Sequence, residues 1–97
     1  MPFEVHLEKP AQRDLRLAFE WYEAKQTGLG AELLRSVAAL VELLSRDPQR
    51  FRRGLGAYRS AKLRRFPYAL HYRIEGQHVH VLACVHFRQS PDRWPGA

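Results

Sequence analysis

Seven cations crowd sixteen residues in the middle of this 97-residue chain: Arg50, Arg52, Arg53, Arg59, Lys62, Arg64 and Arg65. No acidic residue falls between Asp47 and Glu75, so nothing in that stretch cancels the charge. Such a cluster suits a phosphate backbone or an acidic protein surface. A solvated loop with an edge strand is the plainer reading, since edge charges discourage strand-to-strand pairing, but plain surfaces mix both signs. Further along stand His71, Arg73, His78, His80, Cys84, His86 and Arg88. Cleaving RNA without a metal requires a base for the 2′-hydroxyl, an acid for the leaving oxygen and cations for the phosphate. His71 or His86, with Lys62, Arg73 and Arg88, has the right residue types, as does any open sheet face rich in His and Arg. His78 and His80 are two apart, on one face of a strand, but no nearby Cys or carboxylate completes a metal shell. They read as surface histidines, and neither a metal nor another cofactor is expected. Cys84 has no paired base and reads as a small half-buried filler.

The whole chain bounds these chemistries. Sixteen Lys+Arg against ten Asp+Glu give a formal net charge of +6, and 45% of the residues are hydrophobic. Residues 1–48 hold 6 basic and 8 acidic side chains, a net of −2, and residues 49–97 hold 10 and 2, a net of +8. Ninety-seven residues make one domain, 1–97, with no room for a second core. The apolar fraction excludes a disordered tail. One Cys excludes an internal disulfide and fits a reducing, cytoplasmic setting. No apolar run approaches a membrane span, no signal peptide opens the chain, and no membrane partner is expected.

The elements that must position these residues can be read from periodicity. Residues 3–8 alternate as a half-buried strand, with Phe3, Val5 and Leu7 on one side. Pro10 suits the first turn of a helix, although Lys9 is a poor cap. Ala11, Leu15, Ala18, Phe19 and Tyr22 then mark one helix face to Lys25, and Leu17, Trp21 and Ala24 mark a second stripe. Two stripes predict packing on two sides, against a sheet and against another helix. Thr27-Gly28-Leu29-Gly30 ends this helix, and a second follows at about 31–46, closed by Pro48. Strand patterning returns at 58–65, 68–75 and 78–87, with Gly76-Gln77 as a two-residue hairpin turn. The tail 88–97 reads as irregular, pinned by Trp94.

The order β-α-α-β-β-β predicts an α+β fold: a helical hairpin on one face of a mostly antiparallel four-stranded sheet. The hairpin turn pairs 75 with 78, 73 with 80, 71 with 82 and 69 with 84. Tyr68, Leu70, Tyr72, Ile74, Val79, Val81, Ala83, Val85 and Phe87 would then face the helices. Ala69, His71, Arg73, His80, Leu82, Cys84, His86 and Arg88 would face outward, joined by Lys62 and Arg64 if these share that side.

The ordered set Ala11-Gln-Arg-Asp-Leu15, Trp21-Tyr22-Glu23, Gly28-Leu-Gly30, Pro48, Arg65-Phe-Pro-Tyr68 with Tyr72, and His86-Phe-Arg88 with Pro91 and Trp94 resembles the RelE/ParE superfamily of type II toxin–antitoxin toxins. The resemblance spans about residues 3–94. It implies a cytosolic toxin neutralised by a cognate antitoxin that wraps it. It also implies one of two targets: mRNA in the ribosome, cut by RelE-like members, or DNA gyrase, inhibited without cutting by ParE-like members. The RelE-like pattern places a phosphate-stabilising Arg just after the position of Tyr68. Here that residue is Ala69. Losing such a pre-placed cation costs on the order of 10²–10³ in rate. Lys62 matches a basic position on the preceding strand, and His86 with Arg88 matches the ParE-like ending. The favoured expectation is a growth-arresting toxin that binds its target. Arg50, Arg52, Arg53, Arg59, Lys62, Arg64, Arg65, His71, Arg73, His86 and Arg88 would form its target- or antitoxin-binding surface. The alternatives are a ribosome-dependent mRNA endonuclease using Lys62, Arg64, Arg73 and His86, and a basic nucleic-acid-binding module.

Overall fold

The computed structural model describes residues 2–54 and 56–87; the expected irregular tail, with Arg88 and Trp94, lies outside them. The elements follow as β1 (Glu4–Leu7), α1 (Lys9–Lys25), α2 (Leu29–Arg46), a 3₁₀ turn (Pro48–Arg50), β2 (Arg59–Lys62), β3 (Tyr68–Glu75) and β4 (His78–His86). The sheet order is β1-β4-β3-β2. β1 runs parallel to β4, and the β2–β3 and β3–β4 pairs are antiparallel. This is the α+β arrangement read from the sequence. Among the described residues no helix is long and apolar enough to cross a membrane.

α1 starts as Pro10 suggests, within its first turn, and no side chain caps it. Gln12 Nε2 donates to the Leu7 carbonyl at 2.7 Å instead, tying the helix to the end of β1. Ala11, Leu15 and Ala18 are buried in one core with Leu33, Val37, Leu40 and Leu44 of α2 and with Leu70, Tyr72, Val79 and Val81 of the sheet. The second stripe of α1 does not pack against another helix as expected. Leu17 is 56% exposed and Trp21 55% exposed. The helical hairpin instead closes through Phe19 and Glu23, on the flank that meets the start of α2.

That closure has a specific chemistry. Gly28 takes the left-handed conformation, φ 93°, that lets the chain reverse. The first amides of α2 lack intrahelical acceptors. The Glu23 carboxylate reaches across from α1 and accepts from Gly28 N–H at 3.0 Å and Gly30 N–H at 2.9 Å. A negative group at a helix N-terminus also meets the positive end of its dipole. Gly30 allows the approach: a Cβ there would lie 2.7 Å from the Phe19 ring and 2.9 Å from the Glu23 carboxylate.

β2 is shorter than the strand expected at 58–65. Leu63 and Phe66 turn into the core after Lys62, and Arg65 bends the chain at φ 73°. Gly76 forms the hairpin turn at φ 60°, and Glu75 pairs with His78 as the two-residue loop requires.

Gly30→Ala should destabilise the fold by about 1–3 kcal/mol, because ring and carboxylate must move together and the cap is lost. At Gly54 the nearest atom to an added Cβ is 3.8 Å away and φ is not positive. Gly54→Ala should therefore be neutral or stabilising by up to about 1 kcal/mol, through the unfolded chain. Urea unfolding of the two variants should show these opposite signs.

Candidate functional site

The hairpin pairing holds from Glu75↔His78 to Tyr72↔Val81 and then slips: His71 pairs with Ala83, and Leu82 has no partner on β3. One extra residue on β4 is a β-bulge. Beyond it the alternation of β4 inverts. Cys84 pairs with Leu70 and lies in the helix-side core, not on the outer face. Ala83 and Val85 share the outer face with His71 and Ala69, the reverse of the expectation. His86 also turns to the helix side, where its ring meets Tyr68 edge-on at 5.0 Å. The expected pairs 71–82 and 69–84, and the placement of His86 beside His71 and Arg73, are thereby corrected.

The remaining outward groups do not converge. Lys62 lies opposite Ala69 on β2, with its ammonium 5.2 Å from the Phe87 ring. Arg73 is four residues further along β3, about 13 Å away at the strand rise, and pairs with Glu75 at 3.4 Å. Arg64 is in the loop after β2, its carbonyl accepting from Ser36 Oγ at 2.8 Å. His71 is buried, and desolvation holds its imidazole pKa below the usual value.

A second set of cations does converge. Arg59 is not available to a partner: its guanidinium donates to the carbonyls of Gln49, at 3.3 Å, and Phe51, at 2.7 Å. The Tyr72 hydroxyl, buried in the core, donates to the Pro48 carbonyl. Desolvation above all pushes that phenol up to about 12, so it stays a donor. The loop is thus fastened by its backbone, and Arg50, Arg52 and Arg53 point outward, exposed. Next to it a groove of about 600 Å³ runs between α2 and the β2 edge. Its apolar floor is Ala39, Leu40, Leu43, Phe51 and Phe66, and its basic walls are Arg35, Arg46, Lys62, Arg64 and Arg65. The one acid lining it, Glu32, is already paired with Arg65 at 3.1 Å. Sequence reasoning missed Arg35 and Arg46 because their half of the chain nets −2. Their i, i+11 spacing, three helical turns on one face of α2, was the available signal.

The bulge borders a second groove of about 410 Å³ with fewer charged residues, between α1 and the end of β4. Leu17 and Trp21 form its exposed lip, and Tyr22, Tyr68, Cys84 and His86 line it with Asp14. Asp14 completes the ladder where β1 has run out, accepting from the Cys84 N–H at 3.0 Å. Burial, then the Asp14 carboxylate, push the Cys84 thiol up to about 12. At the opposite corner of the sheet, β1 places Glu4 and His6 beside His78 and His80. The carboxylate absent from the neighbourhood of these histidines in sequence comes from the other end of the chain.

Over residues 5–91 the sequence matches the family described as the ParE toxin of type II toxin–antitoxin systems, parDE. Among solved structures, a chain of the chromosomal ParDE toxin–antitoxin system from P. aeruginosa superposes with a TM-score of 0.77 at 17% identity, covering 87% of this chain and 95% of that one. A chain of the RelBE2 toxin–antitoxin complex from Mycobacterium tuberculosis superposes with a TM-score of 0.64 at 30% identity, covering 89% and 99%. The first similarity carries the fold alone. A search of curated protein sequences gives no match.

Two titrations test this geometry. His71 binds a proton less readily in the folded chain than unfolded, so its penalty is absent above its ordinary value of 6.5 and grows as pH falls below it. Urea midpoints taken from about pH 7.5 to 5.5 should fall less in His71→Leu than in the wild type. Cys84, protonated and buried, should resist a thiol-specific disulfide reagent at about pH 8 in the folded protein and react on unfolding. Rapid labelling of the native chain would contradict its placement.

Proposed function

Because the chain belongs to the ParE toxin family of type II toxin–antitoxin systems, we propose that it arrests growth by binding its target, DNA gyrase, rather than by cutting RNA, and that a cognate antitoxin neutralises it. The observation that carries the binding reading is the dispersal of the groups a nuclease needs. A scissile phosphate and its 2′-hydroxyl span only a few ångströms, so a general acid or base must sit within hydrogen-bond reach of both. His86 faces the helices, Arg73 is held by Glu75, Arg64 stands on the loop after β2 rather than on the sheet face, and Ala69 stands where the RelE-like pattern has its arginine. Gyrase as the target follows from the resemblance to the ParE-like branch.

The groove along α2 supports the antitoxin reading. Its apolar floor suits the hydrophobic face of a helix or strand, and its arginine walls suit acidic residues on either side. Charge complementarity of this kind speeds encounter and fixes register more than it adds affinity. The solved relatives named above are toxin–antitoxin systems, which fits a partner of this kind here. The outer edge of β2 is partly occupied by the chain itself, since Arg53 bridges to Arg59 and Ser60 N–H donates to the Arg52 carbonyl. The groove, not that end of the sheet edge, is the open route.

A supercoiling assay with purified chain and gyrase should show inhibition at micromolar concentration, and undiminished supercoiling would remove gyrase as the target. Primer extension on ribosome-bound message should show no new cleavage. For the partner, Arg46→Glu/Arg64→Glu should leave growth arrest intact but weaken neutralisation by the product of the neighbouring reading frame. The loss in affinity should be roughly 10- to 100-fold. Full neutralisation of the double variant would place the antitoxin elsewhere.

A further inference from the structure

The parallel register of β1 with β4 sets Glu4 opposite His78 and His6 opposite His80. Val5 and Leu7 pack on the core, and Val79 and Val81 are buried in it. The pleat therefore turns all four polar side chains to the outer face of the sheet. One ligand atom from each of Glu4, His6 and His78 lies within 4.8 Å of the other two. His6 Nε2 and His78 Nδ1 are 3.0 Å apart, with the rings tilted by 31°.

We propose that Glu4, His6 and His78 bind one divalent transition-metal ion of the zinc, nickel or copper class. Two nitrogen ligands 2.0–2.1 Å from a tetrahedral zinc stand about 3.3 Å apart, so the imidazoles need open by only a few tenths of an ångström. Two imidazoles and one carboxylate are borderline donors that select these metals over magnesium or calcium, which take oxygen sets. Three protein ligands leave a fourth position, and the exposure of Glu4 and His78 directs it to solvent.

The surroundings suit a cation. His80 stacks on His6 at 5.2 Å and 20°, which holds the His6 ring in plane. Glu8 lies 3.8 Å from His80 Nδ1 and Glu75 3.7 Å from its Nε2, both beyond hydrogen-bond distance, and Nδ1 is a buried nitrogen without a hydrogen-bond partner among the described residues. The nearby cation, Arg73, is engaged by Glu75. The ligands also stand on two hydrogen-bonded strands rather than on loops, so little order must be created when the ion arrives. A metal here would clip the four-residue edge strand β1 to β4. It would bind the folded chain and not the unfolded one, and so stabilise the fold by mass action.

Calorimetry with zinc chloride on the untagged full-length chain should give one zinc per chain, and thermal unfolding should shift upward with zinc. His6→Ala and His78→Ala should each weaken binding by roughly tenfold or more, and Glu4→Gln should weaken it too. His86→Ala, at the far corner of the sheet, should bind as the wild type does. Circular dichroism without metal should show every variant folded, since these side chains lie on the surface. Cobalt(II) in place of zinc should give the visible absorption of tetrahedral nitrogen–oxygen ligation, a readout that a structural histidine pair would not produce. Absence of zinc binding at sub-millimolar concentration, or binding that survives in the His6→Ala/His78→Ala double variant, overturns the proposal.

Discussion

One residue of β4 without a partner on β3, Leu82, divides the sheet into two stretches of opposite facing. A strand's side chains alternate with a period of two, so a single inserted residue moves everything beyond it to the opposite face. Before the insertion, β4 presents His78 and His80 outward and Val79 and Val81 to the core. After it, Cys84 and His86 go inward, and Ala83 and Val85 come out. The same insertion borders the groove under Trp21, and it separates His86 from the cations that a ribonuclease would pair with it. Among the described residues, the slip accounts for His86 lying apart from His71 and Arg73, while Lys62 and Arg73 are separated by their positions along β2 and β3. β1 ends one residue before the slip, at Leu7↔Val81, and Asp14 takes over the β4 edge by accepting the Cys84 amide.

The basic face is held by hydrogen bonds to backbone carbonyls rather than by ion pairs. A buried hydrogen bond such as Tyr72 to Pro48 contributes about 1 kcal/mol net, but stranding either partner costs about 1–3 kcal/mol. An exposed ion pair such as Arg65–Glu32 contributes at most about 1 kcal/mol and weakens with salt. The loop's position is therefore decided by Tyr72, Arg59 and Ser36 acting on backbone carbonyls. The outward guanidiniums of Arg50, Arg52, Arg53 and Arg64 take little part in stability. They can be matched to a partner without disturbing the fold, the usual division between a rigid scaffold and the residues it displays.

The helical hairpin shows the same economy. Glu23 caps α2 from α1, so one side chain closes the turn, satisfies two amides and neutralises a helix dipole. Gly30 is required because Phe19 and Glu23 already occupy the space of a side chain. The exposed lip of Leu17 and Trp21 follows from this closure. The hairpin closes through Phe19, and the Leu17–Trp21 stripe is left exposed.

The sequence by itself determined the element order, the α+β class, the β1 core face, the 76–77 turn and the charge division between the two halves. These are local properties: a 3.6 or 2.0 period, a glycine where φ is positive, a proline where an amide is not needed. The ordered set of residues resembling the RelE/ParE superfamily was legible for the same reason, and the match over residues 5–91 bears it out. Tertiary structure decided which of those residues meet. The slip at Leu82 leaves no mark in an alternating run, because Val-Leu-Ala-Cys-Val suits either face. The contributions of Arg35 and Arg46 to the basic groove and of Glu4 and His6 to the histidine corner join segments far apart in the chain. The last of these spans the whole fold, from β1 to β4. Such juxtapositions depend on strand order and register, which are fixed by packing of the entire core and not by any window of sequence.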